Sequence, residues 1–324
     1  MAVTAPVTTS EFSGFLSPEQ SAPIFDRAAR MSVVQRLSPQ VPLAANGKAI
    51  PITTGKVTAG WTNEGAKKHV SKGTMGLKTI TPKKLTCIVP ISAEVVRANP
   101  GGFVTNIRTQ IAGAFATAFD LAALYDRGGD GTAGGGPFST WIAQTTKAVE
   151  LGTTTKANGG VWGDLVAGLS LLVNDGKRLR GFALDERIEP MLLGAVDNNG
   201  RPLFVEQPLD ATTAALFEAN PMDPARPGRL MGRPSWMTEG IGEPTPGTTS
   251  TTYTLGFGGD WSQTAWGVVG GITYDVSTQT TLTIDGQLVS LWENNLMAVK
   301  AEAEYGWLVN DTAAFVEYTE TTAA

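Results

Sequence analysis

Apolar and polar positions along the chain change period several times, and each change marks an element. The run from Asn99-Pro100 onward places Ile107, Ile111, Ala114, Phe115, Ala118, Leu121, Ala122 and Tyr125 at i, i+3, i+4 and i+7 spacings, predicting one amphipathic helix of about 25 residues. Leu165, Leu169, Leu172 and Val173 predict a second helix over Trp162–Asn174, and Asp185 is placed to N-cap a third reaching about Val196. Ser17-Pro18-Glu19-Gln20 offers an N-cap, a proline at the first helical position and a capping-box glutamine, so a short helix over about 18–30 is expected after a Thr/Pro-rich arm.

Strands are expected where alternation replaces helical spacing. Val41–Ala59 alternates weakly and is broken by Pro42, Asn46-Gly47 and Pro51, which reads as short strands joined by a turn. Further strands are expected at Lys84–Ile91, Tyr253–Phe257, Trp266–Tyr274 and Thr278–Ile284, the last followed by an Asp285-Gly286 turn. Leu288, Leu291, Trp292, Leu296 and Val299 then fall at helical spacing and predict a late helix with Leu291, Trp292 and Leu296 in the core, before a closing strand pair at Gly306–Val309 and Ala313–Tyr318. Pro202–Pro246 reads as irregular chain with short strands.

Residues 60–80 do not fit this scheme. They carry Lys67, Lys68, Lys72 and Lys78 beside Glu64 and His69, and Trp61 is their one large ring. Such a segment cannot bury itself well, so it reads as a long hairpin projecting from the body.

Composition narrows the chemistry. The 324 residues suffice for about two domains. A net charge of -5 gives no basic field that would collect nucleic acid or an anionic membrane. One cysteine, Cys87, and one histidine, His69, exclude an internal disulfide and a Cys/His zinc site within one chain, and Cys87 reads as a small buried hydrophobe. No basic-then-apolar leader opens the sequence and no long apolar span interrupts it, so an intracellular, non-membrane protein without a cofactor is expected.

The candidate catalytic motifs are weak. Gly129-Asp130-Gly131-Thr132-Ala133-Gly134 satisfies G-x-G-x-x-G, but a helix leads in where a nucleotide site needs a strand, so a flexible loop is expected. Asp126 and Asp130 lack the calcium-loop spacing. Glu239, Glu243 and Asp260, the last beside Trp261, are the carboxylates from which a glycan-cleaving pair would have to come.

Several local words carry a family resemblance: WTNEGAKKHVS at 61–71, KKLTCIVPISAEVV at 83–96, FALDERIEPMLLGAVDNNGRPLF at 182–204, GRLMGRP at 228–234, GFGGDWSQTAWGVVGGI at 256–272 and LWENNLMAVKAEAEYGWLVND at 291–311. In this order the chain resembles the tailed-bacteriophage major capsid protein family from about residue 18 onward. The resemblance implies an α+β fold with an N-terminal arm and short helix (1–44), an extended β-hairpin loop (45–88), a peripheral lobe holding a long spine helix (89–180, returning at 286–324) and an axial lobe (181–285). It also implies a non-enzymatic shell subunit found in the virion and assembled in the host bacterial cytoplasm. Its partners would be further copies in pentamers and hexamers, with a separate scaffolding protein, portal and decoration protein as further candidates. DNA would be enclosed without sequence-specific binding. Trp61, Glu64, Lys67, Lys68, His69 and Lys72 are the inter-subunit candidates. The loop lysines and Asn294 or Asn295 do not align with the lysine–asparagine crosslink of some relatives, and no crosslink is claimed. An encapsulin-type compartment shell shares the fold and is the alternative, with a carbohydrate-active enzyme as the more distant one.

Overall fold

The computed structural model describes residues 32–98, 103–195, 226–242, 252–284 and 286–321. The expected helix over 18–30, the Gly-Arg-Pro-Leu-Phe passage, Glu243 and Asp285 lie outside them.

The described residues begin with α1 (Val33–Leu37), whose Ser32 N-cap accepts from the Gln35 N–H. Strands β1 (Lys48–Gly55) and β2 (Thr74–Ile80) pair antiparallel from Lys48↔Ile80 at the root to Gly55↔Thr74 at the far end, leaving 56–73 as the tip. Strand β3 (Lys83–Ser92) follows, then α2 (Ala93–Ala98) and the 23-residue α3 (Phe103–Tyr125) where helical spacing required it. The expected return strand is thus two strands: β2 closes the hairpin, while β3 joins another sheet.

The middle of the chain supplies β4 (Ala148–Glu150), α4 (Gly160–Asn174), β5 (Gly181–Leu184) and α5 (Glu189–Leu193). Asp185 caps as expected, but the turn it opens is a 3-10 helix over Glu186–Ile188 that leads into α5, and α5 ends at Leu193 instead of near Val196. Strands β6 (Arg226–Leu230), β7 (Arg233–Met237), β8 (Thr252–Gly259), β9 (Thr264–Ser277), β10 (Thr281–Ile284) and β11 (Gln287–Ser290) follow. The described chain closes with β12 (Leu296–Val309) and β13 (Phe315–Thr321).

The late helix is not formed. Leu288 belongs to β11, residues 291–295 make a turn closed by the Leu296 N–H on the Leu291 carbonyl at 2.8 Å, and Asn295 takes a left-handed φ of 51°. From Leu296 the chain runs as a 14-residue strand paired antiparallel with β3 over ten positions and with β9 on its other edge. Alternation inside KAEAEY suits this, since one set of side chains meets a helix and the other meets solvent. Leu291 and Leu296 are buried as expected, whereas Trp292 is 76% exposed. Nor do Gly306–Val309 and Phe315–Thr321 pair with each other. The first is the end of β12 against β9, and β13 lies between β8 and β4 in the other sheet.

Two larger sheets result, ordered β3-β12-β9 and β4-β13-β8-β5-β7-β6, the second mixed because β4–β13 and β5–β7 are parallel. The first half of α3 lays Ile107, Ile111 and Phe115 on Ile91, Ala301 and Ala303 of the three-stranded sheet. Its second half, through Phe119, Ala122, Ala123 and Leu124, packs with Trp307 and Val309 of that sheet and with Phe257 and Phe315 of the other. Helix α4 covers the six-stranded sheet, with Leu165 and Leu172 packed among Phe182, Leu184, Val316 and Tyr318.

Two buried carboxylates fasten elements far apart in sequence. Asp120, inside α3, accepts from the Ser32 hydroxyl at 2.6 Å and from the N–H groups of Val33 and Val34 at 3.2 and 3.4 Å, so it holds the start of α1. A buried carboxylate is tolerable when donors surround it. Asp185 accepts from the Arg187 side chain at 2.9 Å and from the N–H groups of Gly240 and Gly242 at 3.2 and 2.9 Å, tying the turn after β7 to the start of α5. Burial raises its pKa, but hydrogen bonds from Arg187 and then Gly242 outweigh burial and hold the carboxyl below its usual value.

Two predictions follow from this packing. Leu291→Ala is expected to cost about 2–5 kcal/mol because its site is closed, while Trp292→Ala should fall within about 0.5 kcal/mol of wild type because its ring is exposed. Thermal melts of the unassembled subunit separate the two, and a large loss for Trp292→Ala would return that ring to the core. For Asp185, a depressed folded pKa stabilises the fold above the unfolded value of about 3.9, and that contribution is lost as pH falls through the folded value. Asp185→Asn should therefore cost about 1–3 kcal/mol near neutrality, with the deficit shrinking below about pH 4. Denaturant melts of both proteins at the two pH values check this, and a deficit independent of pH would contradict it.

Candidate functional site

The hairpin carries all six inter-subunit candidates. Its root is fixed to the body: Ile80 is fully buried against Leu308 and Ala265, with Leu43 beside them, and the Lys78 ammonium donates to the carbonyls of Val309 and Asn310 at 3.4 and 2.6 Å. Gly47 turns the chain into β1 at a φ of 82°, passing so close to the Ile80 carbonyl that a Cβ there would sit 2.5 Å from its oxygen. Only glycine suits that turn.

Beyond the root, burial stops. Val57, Trp61, Val70, Met75 and Leu77 are exposed large apolar groups, and Trp61 has no cover from its own chain. Thr58 spans the tip with its N–H on the Ser71 hydroxyl at 2.7 Å and its hydroxyl 2.9 Å from His69 Nε2, so His69 braces the loop. Glu64, Lys67, Lys68 and Lys72 are exposed, and none of these three lysines has an ion pair among the described residues. The structure thus brings all six inter-subunit candidates together on one exposed tip, held away from the body by paired strands.

Of the candidate carboxylates, Asp260 and Asp130 take structural roles. Asp260 accepts from the Ser262 N–H and hydroxyl at 3.2 and 2.6 Å, caps the 3-10 turn Trp261–Gln263, and pairs with Arg180 at 3.0 Å. Glu239 is exposed on the turn after β7. Asp130 accepts from the Thr132 N–H and hydroxyl, which lower its pKa. The Gly-rich segment is a turn closed by its own hydrogen bonds, with the Gly128 N–H on the Thr132 carbonyl at 2.9 Å and the Gly136 N–H on the Asp126 carbonyl at 3.1 Å. Cys87 is half-buried on the side of β3 that faces α3, and burial pushes its thiol pKa up. Among the described residues no three His, Cys, Asp or Glu side chains group to hold a metal ion.

A feature absent from the sequence reading is a cavity of about 210 Å³ between the Gly-rich turn, α3 and the first residues of β3. The rings of Phe119, Phe138 and Tyr305 line it, and Lys83, Lys84 and Arg127 stand around it. Phe119 lies 6.0 Å from Phe138 and 5.4 Å from Tyr305 between centroids. Burial pushes the Tyr305 hydroxyl pKa up, and nearby Tyr274 adds to it. Its parts come from positions 83–85, 118–138 and 305, so no local signal could have revealed it.

Asp130 and Asp260 hold turns, the hairpin leaves apolar and cationic groups uncovered, and the family that the chain matches is one of structural, non-enzymatic proteins. The chain belongs to the phage capsid family, whose sequence pattern matches residues 13–319. It is 42% identical over 312 residues to the "Probable major capsid protein gp17" of Mycobacterium phage D29, covering 95% of this chain and 91% of that protein. Identity to the protein of the same description in Mycobacterium phage L5 is 41% over 324 residues, covering 97% and 92%. In solved structures, a chain from Gordonia phage Cozz superposes with a TM-score of 0.74 at 23% identity, over 97% of this chain and 94% of that one. A chain from the capsid of an empty GTA particle gives 0.61 at 16% identity, over 97% and 98%. These two likenesses carry the fold.

Proposed function

We propose that this chain is a major capsid protein whose copies assemble into the icosahedral shell enclosing double-stranded phage DNA, with the 56–73 tip lying over a neighbouring subunit. The observation that carries the reading is the exposed tip on a buried root. Apolar groups left in water on an anchored hairpin gain burial only against another molecule, and in a symmetric assembly one such contact recurs at every subunit.

In this reading residues 1–44 form the arm and 45–88 the extended loop. Residues 89–180 and 286–324 form a peripheral lobe with α3 as its spine, and 181–285 form an axial lobe. The lobes exchange strands, because β9 pairs with β12 while β13 and β4 extend the sheet of β8 and β5. Partners are other copies in pentamers and hexamers, a separate scaffolding protein, a portal and a decoration protein, with assembly in the host cytoplasm. Enclosing DNA needs no tight grip, and a net charge of -5 suits a wall that repels phosphate. Lys67, Lys68 and Lys72 dock on acidic surface of the adjacent body, where each pair contributes only about 0–1 kcal/mol but recurs throughout the shell.

Deleting the tip should leave a folded subunit that no longer forms shells. Circular dichroism with gel filtration decides this, and unaltered large particles would sink the reading. Reversing Lys67, Lys68 and Lys72 to Glu should block or slow assembly, and wild-type assembly should slow in salt near 1 M, where the Debye length is about 3 Å. Light scattering across a salt series compares the two proteins, and identical curves would return these lysines to a solvated face.

A further inference from the structure

We propose that the mouth of the cavity beside the Gly-rich turn binds a phosphate group, held between the Lys83 ammonium and the Arg127 guanidinium. The inference goes beyond the shell reading and does not depend on where the hairpin tip lies.

The lining selects the sign of the guest. Acids outnumber bases in this chain, 30 to 25, yet Lys83, Lys84 and Arg127 line the cavity and no carboxylate does. Asp130, in the same turn, is engaged by the Thr132 N–H and hydroxyl at 3.0 and 2.8 Å. The two lysines divide, because successive side chains of a strand point to opposite faces. Lys83 stands opposite Tyr305, on the face that meets α3, whereas Lys84 pairs with Glu302 at 3.4 Å on the other face. Lys83 is exposed and has no ion pair among the described residues. Arg127 is fixed by its bond to the Gly131 carbonyl at 3.1 Å, which sets its charge beside the turn.

Neutral donors complete the set. The N–H groups of Gly128, Gly131, Gly135 and Gly136 are committed to carbonyls within the turn, but that of Gly129 has no partner among the described residues. The Tyr305 hydroxyl likewise has none, and burial, with a smaller push from Tyr274, raises its pKa and keeps it a donor at neutral pH. Two cations and two unmatched donors suit an oxyanion, and guanidinium and ammonium are the side-chain groups that recognise phosphate. The rings of Phe119 and Phe138 are buried and close the floor, so the guest stays at the polar mouth. A cavity of about 150 Å³ admits benzene, and the one here, about 210 Å³, has room for a phosphate with part of its water shell. Such a group reaches a shell protein from the backbone of enclosed DNA or from free phosphate in solution, and both present the same charged oxygens. A net charge of -5 opposes a broad grip on DNA, but a local pair of cations is enough for one phosphate.

The test titrates sodium phosphate into the unassembled subunit by isothermal calorimetry, against sodium chloride of equal ionic strength. Phosphate should give a saturable heat and chloride none. Lys83→Gln should weaken phosphate binding about tenfold or more, the loss expected for one charge-assisted hydrogen bond. Lys83→Arg should retain binding, and Lys84→Gln should leave it unchanged; both lysines are exposed, so these variants keep the fold. No saturable heat with phosphate, or equal weakening by Lys83→Gln and Lys84→Gln, would overturn the site. Anisotropy of a short labelled DNA duplex then separates the two sources. Duplex binding that falls with Lys83→Gln and is displaced by phosphate assigns the site to the DNA backbone, whereas duplex binding indifferent to Lys83→Gln, beside a phosphate heat that the same change weakens, assigns it to free phosphate.

Discussion

Phe119 holds the subunit together. Its ring lies 6.0 Å from Trp307, 5.4 Å from Tyr305 and 6.3 Å from Trp266 in the three-stranded sheet, and 6.0 Å from Phe138 after the Gly-rich turn. Six residues further along α3, the Tyr125 ring packs 5.4 Å from Phe257 of the six-stranded sheet and its hydroxyl donates to the Ile241 carbonyl at 2.6 Å. Because these contacts come from a single rigid helix, the two sheets cannot shift independently. Interiors packed this densely transmit strain instead of absorbing it. Everything that faces outward takes its position from this junction: β12 runs from it to the hairpin root through Gly306 and Leu308, and α1 is pinned to it through Asp120.

Much of this was legible along the chain, and the parts that were not share a cause. The helix over 103–125 was readable because its buried face is defined by its own spacing, and the unburied hairpin because residues 60–80 lack the means to cover themselves. Strand β12 was misread because Leu288, Leu291, Trp292, Leu296 and Val299 do satisfy a helical period, and alanine and glutamate favour helices in isolation. What overrides them is pairing with a strand about two hundred residues earlier, Leu296 opposite Ser92 and Tyr305 opposite Lys83. Strand preference of that kind is a property of neighbours more than of residues. Asp120 left a trace, a lone acid within an apolar helix face, but its meaning depended on the backbone of α1. The six tip residues are exposed, as a segment without the means to cover itself should leave them.

Several acidic groups of the body are committed to holding turns. Asp185 and Asp130 are engaged by donors that lower their pKa values, and Asp260 is held by the Ser262 N–H and hydroxyl and by Arg180. A general acid or base needs the opposite, a proton affinity raised toward neutrality and a free edge toward substrate. The acidic residues here stabilise turns at the ends of strands, where edge geometry must be constant if every copy is to present the same surface.

Constancy matters more in a shell than in a monomer. A closed symmetric assembly uses one contact many times, so an angular error at a hairpin root would be repeated at every subunit. A root formed by Ile80, Gly47, Gly306 and the doubly engaged Lys78 resists such error. Strong single contacts would trap misplaced subunits, since dissociation rates fall as affinity rises. If the tip lies over a neighbour as proposed, the apolar driving force of the exposed Trp61 acts only once that second body covers it.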